Sequence, residues 1–282
     1  MKKAGLTACS DGQLREWEDQ NRELKRILAE MSIEAVEAEH IYAEKDAYSG
    51  TDKERGEDLM RFYRDDSVEA IFDISGGDLA NGILKYLDFD VISKTTKRFW
   101  GYSDLTTVLN AIYTKTGKET VLYQIKNLVF SKGELQRKRF SDLVSGKNED
   151  LFDIGYEFLQ GKCMEGIVVG GNLRCLLKLA GTEYFPDMKG KILLLEAYGG
   201  ETGPIATSFN QLELMGVFEK INGILLGTFT RYEAAKLQMS VYDLLKMHIP
   251  DTLPVARTSE IGHGTDSKAI VIGRKMRLEA AK

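Results

Sequence analysis

The first 130 residues alternate short apolar runs with stretches of helical periodicity, and this alternation limits the folds open to the chain. β-strands are predicted at residues 5–9, 33–36, 70–74, 98–102 and 120–123. Between these runs, apolar residues recur every three or four positions, as they do on one face of an amphipathic helix. Repeated strand–helix units favour a parallel sheet covered by helices on both faces. The sequence therefore predicts an α/β fold in which residues 1–130 form a parallel-sheet domain.

The periodicity weakens after this region and returns in a different form. Residues 131–162 contain charge clusters and little apolar pattern, so they are predicted to be a connection with surface loops. Residues 163–282 carry short β runs with helices interspersed between them. This pattern predicts a smaller, β-rich α/β domain packed on the first.

Composition excludes several classes of protein. The chain has 282 residues, of which 43% are hydrophobic and 29% charged, values typical of a globular protein. A net charge of −5 disfavours a nucleic-acid polymer as partner. Apolar runs stay short of the roughly 20 residues that span a bilayer, and the start of the chain lacks a signal-peptide core. A cytoplasmic protein without a membrane partner is therefore expected.

Cofactor and metal motifs are also missing from the sequence. The three cysteines are widely spaced and form no CxxC pair, which disfavours a structural zinc site. There is no Walker A sequence, and the first predicted strand is not followed by the glycine pattern of a dinucleotide fold. We therefore expect no metal and no cofactor.

Ser103 lies in the sequence Gly-Tyr-Ser-Asp, between a predicted strand and a predicted helix. A serine at such a corner presents its hydroxyl at the carboxyl end of the strand, where parallel sheets bind ligands. The N–H of Asp104 would then face an oxygen held by the serine, as an oxyanion hole requires. The alternative is a helix N-cap, for which serine is among the preferred residues. The spacing alone favours the N-cap.

A serine nucleophile needs a base, and the histidines of the chain are His40, His248 and His263. His40 lies in a charged stretch, and His248 ends an amphipathic helix. His263 is flanked by glycines, in the kind of loop where binding residues concentrate, although a turn histidine without a role fits equally well. Glu196 ends an apolar strand, where its carboxylate either orients an imidazole or lies at the edge of the core.

Two glycine-containing segments also follow predicted strands. Ser75, Gly76 and Gly77 end the strand at 70–74, and their N–H groups are suited to binding a substrate oxygen or an oxyanion. A tight turn is the alternative for these three residues. Asn172 follows two glycines at the start of a helix and is expected to cap the helix or to bind substrate, with capping the safer interpretation.

Four segments together resemble the LD-carboxypeptidase family, which includes muramoyl-tetrapeptide carboxypeptidases and microcin C self-immunity peptidases. In chain order they are residues 87–92 with 101–106, 165–166 with 170–173, 190–196, and 262–263. Their order and spacing extend the resemblance over nearly the whole chain. It implies an amidotransferase-like α/β domain that carries the serine, and a C-terminal β-rich domain that carries the glutamate and the histidine.

The resemblance implies a serine carboxypeptidase without a metal, whose triad is Ser103, Glu196 and His263. It also implies an oxyanion hole made by the N–H groups of Gly77 and Asp104, and a homodimer. The implied substrates are a murein tetrapeptide or an aminoacyl or peptidyl nucleotide amide. A catalytically silent binding protein on the same scaffold is the alternative, which the presence of all three triad residues disfavours.

Two departures from the family pattern concern the substrate. Many relatives have Arg-Gly-Gly-Tyr-Gly where this chain has Ser75 and the residues after it. Relatives often have His-Gly-Pro where this chain has Tyr-Gln-Ile-Lys at 123–126. Both segments follow strands of the first domain, so both are expected to line the cleft. These changes favour immunity-type activity on acylated nucleotides, with residues 126–162 as the wall that selects the substrate.

Overall fold

The computed structural model describes residues 1–280 and arranges them as two six-stranded sheets with helices packed on them. The strands are β1 (Lys3–Thr7), β2 (Glu34–Glu37), β3 (Ala70–Asp73), β4 (Arg98–Gly101), β5 (Thr120–Leu122), β6 (Glu157–Gln160), β7 (Cys163–Asn172), β8 (Lys191–Ala197), β9 (Gly223–Phe229), β10 (Val255–Arg257), β11 (Ile270–Ile272) and β12 (Lys275–Glu279). The α-helices are α1 (Glu18–Glu30), α2 (Asp52–Arg64), α3 (Phe89–Lys94), α4 (Thr106–Thr116), α5 (Gly133–Val144), α6 (Leu173–Leu177), α7 (Thr202–Leu214), α8 (Thr230–Ala234) and α9 (Val241–Lys246).

The first sheet has the order β11-β5-β4-β3-β1-β2. Strands β1 to β5 run parallel to their neighbours, and β11 is antiparallel to β5. Each strand predicted for the first 130 residues overlaps an observed one, because the inner strands β1, β3, β4 and β5 are almost entirely buried and mostly apolar. The predicted α/β fold is confirmed.

The second sheet has the order β12-β7-β8-β9-β10-β6. Its four central strands are parallel, and the two edge strands β12 and β6 are antiparallel to their neighbours. The residues of β8 from Ile192 to Leu195 are fully buried: Ile192 and Leu194 share a hydrophobic cluster with the core of the first sheet, and Leu193 and Leu195 belong to a second cluster. Across residues 1–280 the structure has no helix long and apolar enough to cross a membrane.

Residues 131–162, predicted as a connection with surface loops, also contain the helix α5 and the edge strand β6. Helix α5 buries Phe140 against the core of the first sheet. It also buries the polar side chain of Gln136, which donates to the carbonyl oxygen of Ser267 at 2.8 Å. The helix leaves little apolar periodicity in the sequence because a polar side chain makes one of its main buried contacts.

The chain crosses between the two sheets near its end. After β10 in the second sheet, it returns to the first sheet as β11, and then goes back to the second as β12. The loop between β10 and β11 therefore spans the junction of the sheets, and His263 lies in this loop. The two halves of the molecule are interlocked by the backbone itself.

A second link joins the helix that follows Ser103 to the second sheet. Asn110 on α4 donates to the carbonyl oxygen of Gly170 at 2.9 Å and accepts from the N–H of Gly170 at 2.8 Å. One turn earlier, Thr106 Oγ1 accepts from the N–H of Asn172 at 3.0 Å. Gly171, at φ +132°, lies so close to Thr106 that a Cβ atom would stand 2.7 Å from its hydroxyl oxygen. Helix α4 is thereby fixed against β7.

We expect Asn110→Ala to lower the free energy of unfolding by about 2–4 kcal/mol, because it leaves the buried N–H and C=O of Gly170 without partners. Asn110→Asp keeps the oxygen that accepts from the N–H of Gly170 and loses the amide N–H that donates to its carbonyl oxygen. It leaves one backbone group without a partner instead of two, so the part of the stability loss that comes from unpaired groups should be smaller. The exposed Asn81 gives a control: Asn81→Ala should change stability by less than about 0.5 kcal/mol. Urea denaturation measures all three, and equal stabilities for Asn110→Ala and the control would contradict this role.

Candidate active site

Ser103 begins a 3₁₀ turn that connects β4 to α4 at the carboxyl edge of the first sheet. Its backbone adopts φ +53°, a left-handed conformation that is uncommon outside glycine. Such strain persists where the surrounding structure enforces it, and it is frequent at functional sites. Helix α4 begins at Thr106, so Ser103 lies outside the N-cap position of that helix, and its hydroxyl faces His263.

His263 links Ser103 to Glu196. Its Nε2 lies 3.2 Å from Ser103 Oγ, and its Nδ1 lies 2.7 Å from Glu196 Oε2. The imidazole is flanked by two aromatic rings, those of Tyr102 at 4.5 Å and Tyr198 at 5.0 Å between centroids. Only 10% of the histidine side chain is exposed. The ring is therefore held by hydrogen bonds at its edges and by packing at its faces.

Glu196 is fully buried near the end of β8, where its carboxylate needs a partner for each oxygen. His263 occupies Oε2, and the side-chain N–H of Asn172 donates to Oε1 at 3.1 Å. Asn172 also caps α6, because its Oδ1 accepts from the N–H of Cys175 at 3.3 Å. It therefore performs the predicted capping, and its remaining contact orients the glutamate.

The negative charge of Glu196 also affects the pKa of the neighbouring Tyr102. Burial, together with the negative charge of Glu196, raises the pKa of Tyr102 well above its ordinary value. Its phenol stays neutral beside the imidazole. A neutral ring next to His263 adds no charge that would compete with the Glu196 carboxylate for the imidazole.

The loop that carries His263 depends on a glycine. Gly262 has φ +148°, and a Cβ atom there would collide with the side chain of Thr228 on β9. The N–H of Thr228 donates to the carbonyl oxygen of Ile261 at 2.8 Å. The loop is thus pressed against the second sheet at the point where the histidine leaves it.

Ser75, Gly76 and Gly77 lie beside Ser103 in one cavity of about 540 Å³. Gly77 has φ +127° and packs against the carboxylate of Asp11, which leaves no room for a Cβ atom. The hydroxyl of Ser75 is turned away from solvent: it donates to Asp73 Oδ1 at 2.5 Å and accepts from the N–H of Ser10 at 2.9 Å. Only the backbone of this loop is open to a ligand.

Two buried carboxylates beneath the loop were missed by the sequence analysis. Asp104 Oδ2 accepts from Ser10 Oγ at 2.7 Å and from the N–H of Ala80 at 2.8 Å, and its Oδ1 lies 2.5 Å from Lys178 Nζ. Asp73 accepts from the N–H of Cys9 at 2.7 Å. Burial raises the pKa of Asp73. Sequence gave no signal for these contacts, because each partner lies far away along the chain.

The rest of the cavity wall includes Tyr102 and Gln124 from the first half of the chain, and the segment after β8 with Tyr198 and Gly200 from the second half. Arg174 also lines the cavity, and its guanidinium forms an ion pair with Asp78. Among residues 1–280, no group of three or more His, Cys, Asp or Glu side chains is arranged to hold a metal ion. The contacts of His263 with Ser103 and Glu196 form an arrangement that can activate a hydroxyl for attack on a carbonyl group.

Comparison with known proteins gives the family. Residues 4–123 match the model of the LD-carboxypeptidase N-terminal domain, and residues 165–278 match that of the C-terminal domain. A probable murein peptide carboxypeptidase of Bacillus subtilis is 30% identical over 266 residues, covering 91% of this chain and 83% of that protein. The microcin C7 self-immunity protein MccF of Escherichia coli is 28% identical over 82% of this chain and 77% of its own length.

Solved structures share the fold over the whole chain. MccF in complex with aspartyl sulfamoyl adenosine superimposes with a TM-score of 0.88 at 22% identity, covering 99% of this chain and 93% of that one. An MccF-like protein from Bacillus anthracis gives 0.85 at 25% identity, covering 100% and 94%. The chain belongs to the LD-carboxypeptidase family, whose members are serine peptidases, and it is a hydrolase that acts on peptide bonds.

Proposed function

We propose that the protein is a serine carboxypeptidase that hydrolyses a terminal amide bond through a triad of Ser103, His263 and Glu196. The observation that supports it most directly is the pair of contacts made by one imidazole, 3.2 Å to the serine hydroxyl and 2.7 Å to the buried carboxylate. Nucleophile, base and orienting acid stand in the order that acyl transfer requires.

In this mechanism, His263 takes the proton of Ser103 as the serine oxygen attacks the substrate carbonyl. The backbone N–H groups of Gly77 and Asp104 are proposed to stabilise the oxyanion of the tetrahedral intermediate. The imidazolium gives its proton to the amine as the C–N bond breaks. The amine departs, and the acyl group remains as an ester on Ser103. Water, deprotonated by the same histidine, then hydrolyses the ester and restores the serine.

For the substrate we favour an acylated nucleotide amide over a murein tetrapeptide. The arginine that many relatives have at the position of Ser75 would bring a cation to the cleft, whereas the Ser75 hydroxyl is buried in bonds to Asp73 and Ser10. Two structures with this fold contain aspartyl sulfamoyl adenosine and glutamyl sulfamoyl guanosine, which are ligands of those proteins. Ser75, Gly76 and Asn172 line the cavity that would receive the substrate.

The resemblance also leads us to propose a cytoplasmic homodimer, and a division into domains at residues 1–130 and 163–282 joined by residues 131–162, with β11 of the second domain completing the sheet of the first and β6 of the connection completing that of the second. Multi-angle light scattering on the purified chain measures the mass of the particle in solution and so tests the homodimer. A mass of one chain at micromolar concentration would argue against the dimer.

Ser103→Ala and His263→Ala should each abolish turnover, by a factor on the order of 10⁶, because the loss of either half of a nucleophile–base pair removes the function of both. Glu196→Gln should lower kcat by roughly 10⁴, since the amide no longer holds the productive imidazole tautomer. The control is His248→Ala, a histidine that pairs with Glu213 away from the cleft. Initial rates and circular dichroism are measured for each variant.

Activity within tenfold of wild type for Ser103→Ala or His263→Ala would rule out the triad. Covalent labelling with a fluorophosphonate separates the enzyme from a silent binding protein. The wild type should be labelled at Ser103, whereas a silent scaffold would not react.

Chelation is expected to leave the activity unchanged, because the triad performs each proton transfer without a metal ion. The measurement compares initial rates before and after dialysis against EDTA. Strong inhibition that zinc restores would identify a metallopeptidase and overturn the mechanism.

The substrate preference is tested by kcat/KM for a murein tetrapeptide and for aspartyl and glutamyl sulfamoyl-adenosine with the same preparation. We expect the higher value with the acylated nucleotides, because Ser75 stands where many murein-cleaving relatives have an arginine, and a hydroxyl does not replace the bidentate guanidinium. A clear preference for the tetrapeptide would refute this choice and leave the triad untouched. The Ser103→Ala variant gives the background rate for each substrate.

A further inference from the structure

A second cavity of about 700 Å³ adjoins the catalytic one. We call it the annex cavity and define it by Gln13, Trp17, Lys126 and Phe130, which line it together with the residues shared with its neighbour. The shared residues are Ser75, Gly76, Gly77 and Gln124. The two cavities therefore meet at the 75–77 loop and Gln124, and a ligand held at Ser103 has the annex cavity as its neighbour.

Lys126 is the unusual side chain of the annex cavity. It is only 3% exposed, and its ammonium donates to Gln13 Oε1 at 2.7 Å. The ammonium also lies over the rings of Trp17 and Phe130, at 4.7 and 5.9 Å from their centroids. The hydrogen bond to Gln13 uses one of the three N–H donors of the ammonium, and the two rings pack beside it. The other two donors are available to a ligand.

No carboxylate balances this charge. Among residues 1–280, none forms an ion pair with Lys126, and burial is the cause that lowers its pKa to about 8. The amine is therefore mostly protonated at neutral pH. A buried lysine is rarely kept without a counter-charge, because its desolvation costs several kcal/mol. A ligand that brings a negatively charged group to Lys126 would offset this desolvation cost.

Charges of both signs line the annex cavity, and only Lys126 among them attracts an anion. Asp11 and Asp46 are the other charged residues that line the annex cavity, and both would repel an anion. In the catalytic cavity the guanidinium of Arg174 is already paired with Asp78. Within the part of the chain that the structure describes, Lys126 is the one cation lining the annex cavity.

We propose that the annex cavity binds a carboxylate group of the substrate, with the Lys126 ammonium as its ion-pair partner and with Trp17 and Phe130 against the carbon atoms that carry it. This inference rests on the proposed function, since it takes the ligand to be the molecule that Ser103 attacks. A peptide with a free carboxyl end has such a group, and so does an acidic aminoacyl amide. Lys126 thereby selects acidic substrates over neutral ones.

The experiment measures binding without turnover. Trp17 lies beside the ammonium, so its fluorescence should report a ligand there, and a Trp17→Phe variant separates its signal from that of Trp100. The probes are N-acetyl-D-alanine and the uncharged N-acetyl-D-alaninamide. The wild type should bind the carboxylate about tenfold or more tightly than the amide, the difference expected for one charged hydrogen bond.

Lys126→Met keeps the length of the side chain and removes the charge, so it should bind both probes equally weakly. The matched control is Lys53→Met, whose lysine is 63% exposed on α2 and which should bind as the wild type does. Lys126→Arg, which keeps the charge, should retain part of the preference. Thermal unfolding of each variant shows whether the fold is intact.

The affinity for N-acetyl-D-alanine should also fall as the pH rises through about 8, because free Lys126 then loses its proton. Equal affinities for the two probes in the wild type, a preference that survives in Lys126→Met, or a pH-independent affinity would each overturn the proposal. The assay uses no catalytic step, so its outcome is independent of the triad. With an acidic substrate in hand, Lys126→Met should raise KM about tenfold or more and change kcat little.

Discussion

The buried carboxylate of Glu196 is the constraint on which the active-site geometry depends. A carboxylate removed from water must satisfy both oxygens, and here Asn172 and His263 do so. The Nδ1 atom of His263 is thereby bound to a residue of the second sheet, and its Nε2 atom points at Ser103 on the first sheet. The chain of contacts from Ser103 through His263 to Glu196 therefore forms only when the two sheets are held in register, which the hydrogen bonds of Asn110 to Gly170 and the crossing of the chain to β11 achieve.

The same reasoning explains the polar network beneath the cleft. Asp73 and Asp104 accept hydrogen bonds from the segments that follow β1 and β3, and Asp104 itself follows β4, so the two carboxylates tie neighbouring loops together at the carboxyl edge of one sheet. Loops tied in this way keep their N–H groups oriented before a substrate arrives. Such preorganisation is what makes a backbone donor effective against a developing negative charge, since no reorientation is needed during the reaction.

Sequence predicted the parallel sheet because the apolar runs of its strands are local signals, and the family resemblance selected Ser103, Glu196 and His263 among several interpretations. The local sequence pattern could not predict α5, whose buried Gln136 donates to the carbonyl oxygen of Ser267, 131 positions away. Nor could it predict the side-chain role of Asp104, whose partner Ser10 is 94 residues distant. Contacts of this kind are created by the fold and leave no periodic pattern. Lys126 was seen only as a departure from a motif, and its isolation from carboxylates became visible in three dimensions.

The return of the chain to β11 has a consequence for how the molecule is made. The edge of β5 has no partner on that side until residues 270–272 have been synthesised, and the loop that carries His263 is anchored by the same strand. Ser103 is thus synthesised long before His263 can reach it. A nascent chain on the ribosome holds Ser103 in a half-built sheet with an open edge, which is a template for pairing with other chains. The contact between Ser103 and His263 and the covering of that edge therefore both depend on the same late-synthesised segment of the chain.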